Sequence, residues 1–529
     1  MTAAGRGIAR RRFRAPREHG QALIDPPRSE VAALLADNHQ HPDLKHRRRQ
    51  RSPDLFTAQA RRELIAAAVD FTGQYRDIPE VPDVATPIVM SGHQPELFHA
   101  GVWFKNFLLS SIAGEHQATA INLIVDNDSV DSPAIRVPTG SRGSPRVETV
   151  ALDIATDAMP FEQRAIHDAA MFDSFAARVC ETVRPWIDNP LVNDLWSAAK
   201  EARRTTKNFG LAVARTRHVL EGRWGLRTLE LPLSIVAALP AFHMFALSRL
   251  WNAGDLRREY NAALREYRAV NRIRSGAQPV PDLVAEGKWC ETPFWIWTNE
   301  EPQRKRLFVR HHGDKLQLAD QQALMLELPR DEDGQLDVWA GWEQRGIKIR
   351  PRALMTTMYA RLVLCDLFIH GIGGAKYDEV TDAIIRRSMG IEPPRYLTAT
   401  ATIQLPLGVS FTTATELRAA EHEAHEMQYR AERYLTDGMA HGLSERKRNL
   451  LSEIPPRGGK LAWHDAITRV NEELHELAAH EQQRLDERVA RLTEQLRLTR
   501  LLGSREFSFC LFPPDFLRTL LLDLSRATP

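Results

Sequence analysis

The stretch SGHQPELFHAGVWFKN, residues 91–106, sets two histidines, two glycines, a proline and a lysine between an apolar run and a helix-like segment. Gly92 would let backbone approach a ligand closely, and His93 could donate to phosphate, hold an anion or transfer a proton near neutral pH. Gln94 adds an amide that both donates and accepts. Gly101 precedes the expected helix, whose first free amides could receive an anion, and Lys105 follows one turn on. This set suits a phosphate or carboxylate. Read as metal ligands, His93 and His99 lack a third ligand at local spacing; as loop histidines, both also fit simple structural hydrogen bonding. Trp103 and Phe104 read as core.

A second cluster, Asp126, Asn127, Asp128 and Asp131, follows the apolar run TAINLIV. These groups could orient an amine, accept its proton or hold Mg²⁺ through oxygen, although the spacing is not that of an EF-hand. A helix cap or solvated turn is the plainer alternative. The third cluster is FIHGIGGAKYDEVTD, residues 368–382. Gly371, Gly373 and Gly374 could present successive amides to an anion, with His370 and Lys376 adding charge and Tyr377 and Asp378 gripping a sugar, base or amine. The pattern is neither the dinucleotide fingerprint nor a Walker loop. A structural glycine turn competes with it.

The elements around these clusters read as strand, polar loop, helix, strand. TPIVMS is a short β-rich run, VWFKNFLLSSIAG a helix closed by Gly114, and TAINLIVDND a second strand. That order predicts a parallel α/β unit with its sites at the carboxyl ends of strands. Residues 1–80 read as an arginine-rich arm with short helices, 81–160 as the first part of the core and 161–285 as a mainly helical insertion. Residues 286–410 read as the second part of the core, 411–505 as a coiled-coil arm and 506–529 as a tail packing on the core. FEQRAIHDAAMFDSFAARV and LRREYNAALREYRAVNRI read as helices of the insertion. Leu417, Ala420, Ala424, Met427, Ala431 and Tyr434 alternate three and four apart as a heptad seam requires; Val470, Leu474 and Leu477 resume it, then Leu485, Val489, Leu492 and Leu496. The reading is an antiparallel hairpin or a dimerising arm.

Composition agrees with a folded chain: 43% apolar, 26% charged, net charge +2, which offers no global field for nucleic acid. Arg6, Arg10, Arg11, Arg12, Arg14 and Arg17 crowd the start and HRRRQR occupies residues 46–51, read as a solvated arm rather than a polyanion site. Four scattered cysteines predict neither structural zinc nor a disulfide framework, and suit a reducing, cytoplasmic compartment. Residues 231–248 contain no Asp, Glu, Lys or Arg, but their two prolines and flanking charge predict a strand-turn-helix through a core rather than a membrane span.

GHQPELFHAGVWFKN resembles the GQQ...LF.GP.Y segment of the bacillithiol-biosynthesis cysteine-adding enzymes, with Gly92, Gln94, Leu97, Phe98 and Gly101 matching and His93 replacing a glutamine. VDNDSVD is similar to that family's EDHD, with Asp126 and Asp128 on its aspartates and Asn127 on its histidine. HGIGGAKYDEV is similar to its GGPGEIAY turn without the Pro-Gly-Glu pattern, and REFSFCLFPPD to its closing segment. The resemblance runs in order over roughly residues 86–520. It implies a Rossmann-like parallel-sheet core, a helical insertion and a C-terminal antiparallel coiled coil. It further implies an ATP-using carbon-nitrogen ligase of thiol biosynthesis, a divergent member or paralogue joining an activated carboxylate such as cysteine to a small-molecule amine.

ATP or ADP with Mg²⁺ is the implied cofactor. His93, Lys105, the Gly371–Gly374 turn and Lys376 would stabilise phosphate charge, and Asp126 or Asp128 would deprotonate the attacking ammonium. A nucleotidyltransferase and a noncatalytic nucleotide or metabolite sensor remain as alternatives. A homodimer through the coiled coil is the expected assembly; nucleic acid and a membrane are not expected partners.

Overall fold

The computed structural model describes residues 8, 11, 13–41, 53–78, 81–435 and 440–527. Arg6, Arg10, Arg12 and the run at residues 46–51 lie outside the described residues. The chain divides into two units: Met1–Val137, Glu148–Gln404 and Arg505–Pro529 form the first, Pro138–Val147 and Leu405–Ser504 the second.

Two large sheets dominate the first unit. Along the chain come β1 (Gln21–Asp25), β2 (Ile88–His93), β3 (Thr119–Ile124) and β4 (Leu229–Pro232), then β5 (Trp289–Thr298), β6 (Lys305–His312), β7 (Lys315–Ala319), β8 (Met325–Leu328) and β9 (Ile347–Pro351), and finally β10 (Leu367–His370) and β11 (Leu397–Thr402). The first sheet runs in the order β1-β11-β10-β2-β3-β4. All its neighbours are parallel except β1, which pairs antiparallel with β11 at the edge. β3, β4, β10 and β11 are buried at every residue, so they read as largely apolar or β-branched runs, with Asn122, Glu230 and His370 as buried polar exceptions. The second sheet, β8-β7-β6-β5-β9, is antiparallel throughout.

Starting from β2, the chain builds outward through β3 to β4 and then returns to the other side of β2 as β10 and β11. The strand order therefore reverses between β2 and β10. Helices cover the sheet. α1 (Pro53–Gly73) contributes Leu64, Ala68 and Phe71 to a core shared with Ile88, Met90, Ile121 and Leu123. α2 (Ala100–Glu115) lies along β2, β3, β10 and β11, so most of its circumference is buried. Trp103 and Phe104 are fully buried there, as core residues.

Several boundaries differ from the sequence reading. Gly114 does not close α2, which runs on to Glu115; the left-handed residue after it is Gln117, at φ 50°. The helix expected from residue 161 starts only at Ala169, where Asp168 caps it by accepting from the Met171 amide at 2.9 Å. The Gly-rich segment after β10 is no loop: Gly371 is extended, and α3 (Ile372–Met389) begins immediately. β1 lies in the arginine-rich arm, where the sequence pattern predicts only short helices. Residues 231–248 form the end of β4, the short helix Leu233–Val236 and most of the helix Pro240–Trp251, and among the described residues no helix is long and apolar enough to cross a membrane.

The second unit is rich in helix. α4 (Ala414–Tyr429) opens with a capping box between Thr413 and Glu416, and α5 (Ala479–Leu502) runs antiparallel to it: Thr412 pairs with Thr499 and Glu423 with Arg488. Ala420, Met427, Val470, Leu474 and Leu496 are buried along the anticipated seam. α4 nevertheless stops at Tyr429, and Ala431–Tyr434 is a separate 3₁₀ turn, with Ala431 entering a small core beside Ala440 and Ala478.

Candidate functional site

Because β2 and β10 are neighbours, the first and third polar clusters come together at their carboxyl ends, where the strand order reverses. Open α/β sheets bind ligands at such a point. Lys105 reaches back from the second turn of α2 and donates to the Gly92 carbonyl at 2.8 Å. Its stem passes Gly371: a Cβ on that glycine would lie 4.0 Å from the lysine Cδ and Cε. Lys105 is only 3% exposed, and burial, reinforced by Arg217, pulls its ammonium down to about 8. A buried amine thus joins the two strand-end turns.

His93 ends β2, half-buried, with its ring edge-on to Phe98 at 4.7 Å. Its Nδ1 lies 3.2 Å from the Gln94 carbonyl, which can only accept, so Nδ1 carries the proton and Nε2 the lone pair. Burial first, then Lys105, depress its pKa to about 3. At neutral pH His93 is therefore an uncharged imidazole with Nε2 as an acceptor. Gly101 also takes another role. A Cβ there would sit 2.0 Å from the Ala401 carbonyl, so this glycine exists to let α2 meet β11, not to admit a ligand. His99 pairs through its backbone with Ser508, and burial lowers its pKa to about 4.

The acidic cluster splits into separate environments. Asp126 is 2% exposed and accepts from both the amide and the hydroxyl of Ser234, beyond the end of neighbouring β4. Burial and then Glu162 push its carboxyl up to about 7. Asn127 is buried and donates to the Pro351 carbonyl at 2.7 Å. Asp128 is partly open, accepting from Gln94 at 2.8 Å and pairing with Arg304 at 2.9 Å. Asp131 is exposed and accepts from the Ser132 amide at 2.6 Å, a plain turn.

In the third cluster His370 and Asp378 turn inward. His370 Nε2 lies 2.8 Å from Asp378, which also pairs with Arg361 at 2.7 Å. Burial opposes the charge on Asp378, but His370 and Arg361 prevail and hold it well below the usual carboxylate range. The expected substrate contact at Asp378 is corrected to a buried ion pair anchoring α3. A Cβ at Gly374 would press on the His370 ring at 2.9 Å, whereas Gly373, Lys376 and Tyr377 are exposed.

Two groups of residues escaped the sequence reading. Inside, Arg217 donates to Glu221 at 2.7 Å and Glu230 at 2.5 Å, and Trp103, Asn106 and Asn122 donate to the same carboxylates. His218, Glu221 and Glu230 each bring a potential ligand atom within 4.8 Å of the others. They fit a metal poorly: Arg217 already supplies the carboxylates with a fixed cation, which a divalent ion would have to face. At the strand ends, Arg304, Arg306, Arg350 and Arg352 surround Trp295 on one face of the second sheet. The alternation of β6 and β9 carried a signal, since arginines two apart on a strand share a face. Comparison with family models and with curated proteins finds no match to this chain.

Proposed function

We propose that the chain is an ATP-using, ligase-like enzyme that holds the nucleotide phosphates at the carboxyl ends of β2 and β10 and joins an activated carboxylate to a small-molecule amine. The observation that carries this reading is Lys105, a buried ammonium between two strand-end turns at the reversal of strand order. Numbered among themselves, the parallel strands follow 3-2-1-4-5, the order of a Rossmann-like core, which favours a nucleotide at this point. The antiparallel α4 and α5 are in keeping with the coiled-coil arm of the cysteine-adding enzymes.

Lys105 would stabilise charge on the transferring phosphoryl group. The open backbone at Gly371 and Gly373 leaves room for it. Asp126, near neutrality in pKa, is suited to take the proton released by an attacking ammonium. His93 would serve through its Nε2 lone pair, as acceptor rather than cation. The donors fit a phosphate chain. They do not fit Mg²⁺: Asp126 is turned onto Ser234 and Asp128 onto Arg304, so no step is assigned to the metal.

Calorimetric titration of wild type and Lys105→Met with ATP and ADP tests the reading. Affinity falling about tenfold or more in the variant, equivalent to about 1.4 kcal/mol, supports nucleotide at this turn. Amine-dependent release of pyrophosphate or ADP would then establish ligation. Absence of nucleotide binding by folded wild type would sink the reading.

A further inference from the structure

The antiparallel sheet turns a polar face toward the strand ends. Arg352 lies over the Trp295 ring at 4.0 Å and Arg304 at 5.1 Å, while Arg306 stands directly opposite Trp295 in the register. Alternate residues of the same strands, Phe294, Ile296, Leu307 and Ile349, enter the apolar core, so the arginines occupy the other side. The face is tied to the strand ends by a chain of contacts: Trp295 to Arg304, Arg304 to Asp128, and Asp128 to Gln94 beside His93.

The donor count on this face exceeds what the protein uses. A guanidinium carries five N–H groups. Arg352 donates through one terminal nitrogen to Glu291 at 2.8 Å, and its buried Nε has no partner among the described residues. Arg304 engages Asp128 and the Asn127 carbonyl through a single nitrogen. Arg306 is about half exposed and touches Glu291 only at 3.7 Å. Arg350, the fourth arginine around Trp295, is satisfied by Glu162 and Glu343, whereas Arg304, Arg306 and Arg352 share only Asp128 and Glu291 and keep N–H groups to spare. Stacking on Trp295 holds two of the planes in place, and a planar fork with spare N–H groups matches an oxyanion.

We infer that Trp295, Arg304 and Arg352 form an oxyanion subsite for the carboxylate or phosphoryl group of a small molecule. It deepens the proposed function, and rests on that reading only for its place in the reaction: the subsite would hold the acid-bearing substrate beside the nucleotide. Binding itself is measured without nucleotide.

The test is equilibrium titration of the full chain with inorganic phosphate and, separately, with succinate. The variants are Arg352→Gln, Arg304→Gln and, as a control with the same loss of charge on an exposed arginine outside both sites, Arg258→Gln. Saturable binding of at least one probe, weakened about tenfold or more in both subsite variants and changed less than about twofold in the Arg258→Gln control, is the expected result. Which probe binds decides between a phosphoryl and a carboxylate ligand. Should Arg352→Gln fail to fold, the partly exposed Arg304→Gln carries the comparison. No saturable binding of either probe, binding undiminished in folded Arg304→Gln, or loss in Arg258→Gln equal to that in the subsite variants would each overturn the subsite. A wild type that binds the probe but not ATP would retain the subsite and reject the nucleotide reading.

Discussion

Lys105 donates its ammonium to the Gly92 carbonyl at 2.8 Å from a side chain that is 3% exposed. Among the described residues no carboxylate pairs with it, and burial disfavours its charge. The lysine is therefore expensive to keep protonated, which suits a group awaiting an anion.

Replacing it with methionine is expected to leave stability at neutral pH unchanged or raised, because the buried charge disappears while the stem's packing is kept. The pH dependence has a definite sign. Between about 8 in the folded chain and the ordinary 10.5, the unfolded chain holds a proton that the folded chain has lost. Wild-type stability should therefore gain on Lys105→Met as pH rises through that window, by at most about 1.4 kcal/mol per unit. Urea melts of both proteins at several alkaline pH values check this.

Buried neutral histidines should make the protein acid-sensitive. Burial depresses His218 to about 3 and His243 to about 4, from 6.5. A depressed folded pKa contributes stability that is full above 6.5 and is lost as pH falls toward the folded value, since the unfolded chain binds the proton first. Denaturant melts should show stability falling below about pH 6.5, with a shallower fall in His243→Phe, whose ring can keep the stack on Trp339.

Two glycines of one helix should respond in opposite directions. Gly101→Ala drives a methyl to 2.0 Å from the Ala401 carbonyl and should cost about 1–3 kcal/mol or more. Gly114→Ala meets nothing within 4 Å in the last turn of the same helix and should stabilise by about 0.5–1 kcal/mol. Thermal melts of the pair separate the packing role from simple helix propensity.

Arg217→Met would leave Glu221 and Glu230 buried without their shared cation, and a loss of about 3–5 kcal/mol is expected. Arg217→Met combined with Glu221→Gln and Glu230→Gln should recover part of that loss. Chemical denaturation of the single and triple variants measures it. Full recovery by Glu221→Gln alone would show that the two carboxylates do not act as one network.

Local pattern made much of the first unit readable. Short, largely apolar runs such as INLIV and LFI, bounded by polar clusters, fit strands buried on both faces, and the polar residues immediately after them then lie near strand ends. The strand β1 was hidden because its five residues are held by backbone pairing to β11, which leaves little pattern in side-chain type. Ala431 and Tyr434 kept the heptad spacing yet left the helix, since spacing records which residues are buried and not whether the backbone stays continuous.

The sequence by itself determined that strands end in clusters of glycine, histidine, acid and amide, because turn chemistry is local. Only the tertiary structure decided which of those groups could act. It set β10 beside β2 and so brought Gly371 to Lys105, and it enclosed Asp378 between Arg361 and the His370 ring. It also carried Arg304 and Arg352 to Trp295. These outcomes depend on strand order and register, which are fixed by burial summed over residues far apart in the chain. The same burial decides the charge each group can hold, which is why His93 is neutral and Asp126 poised near 7 although neither fact is written in its neighbours.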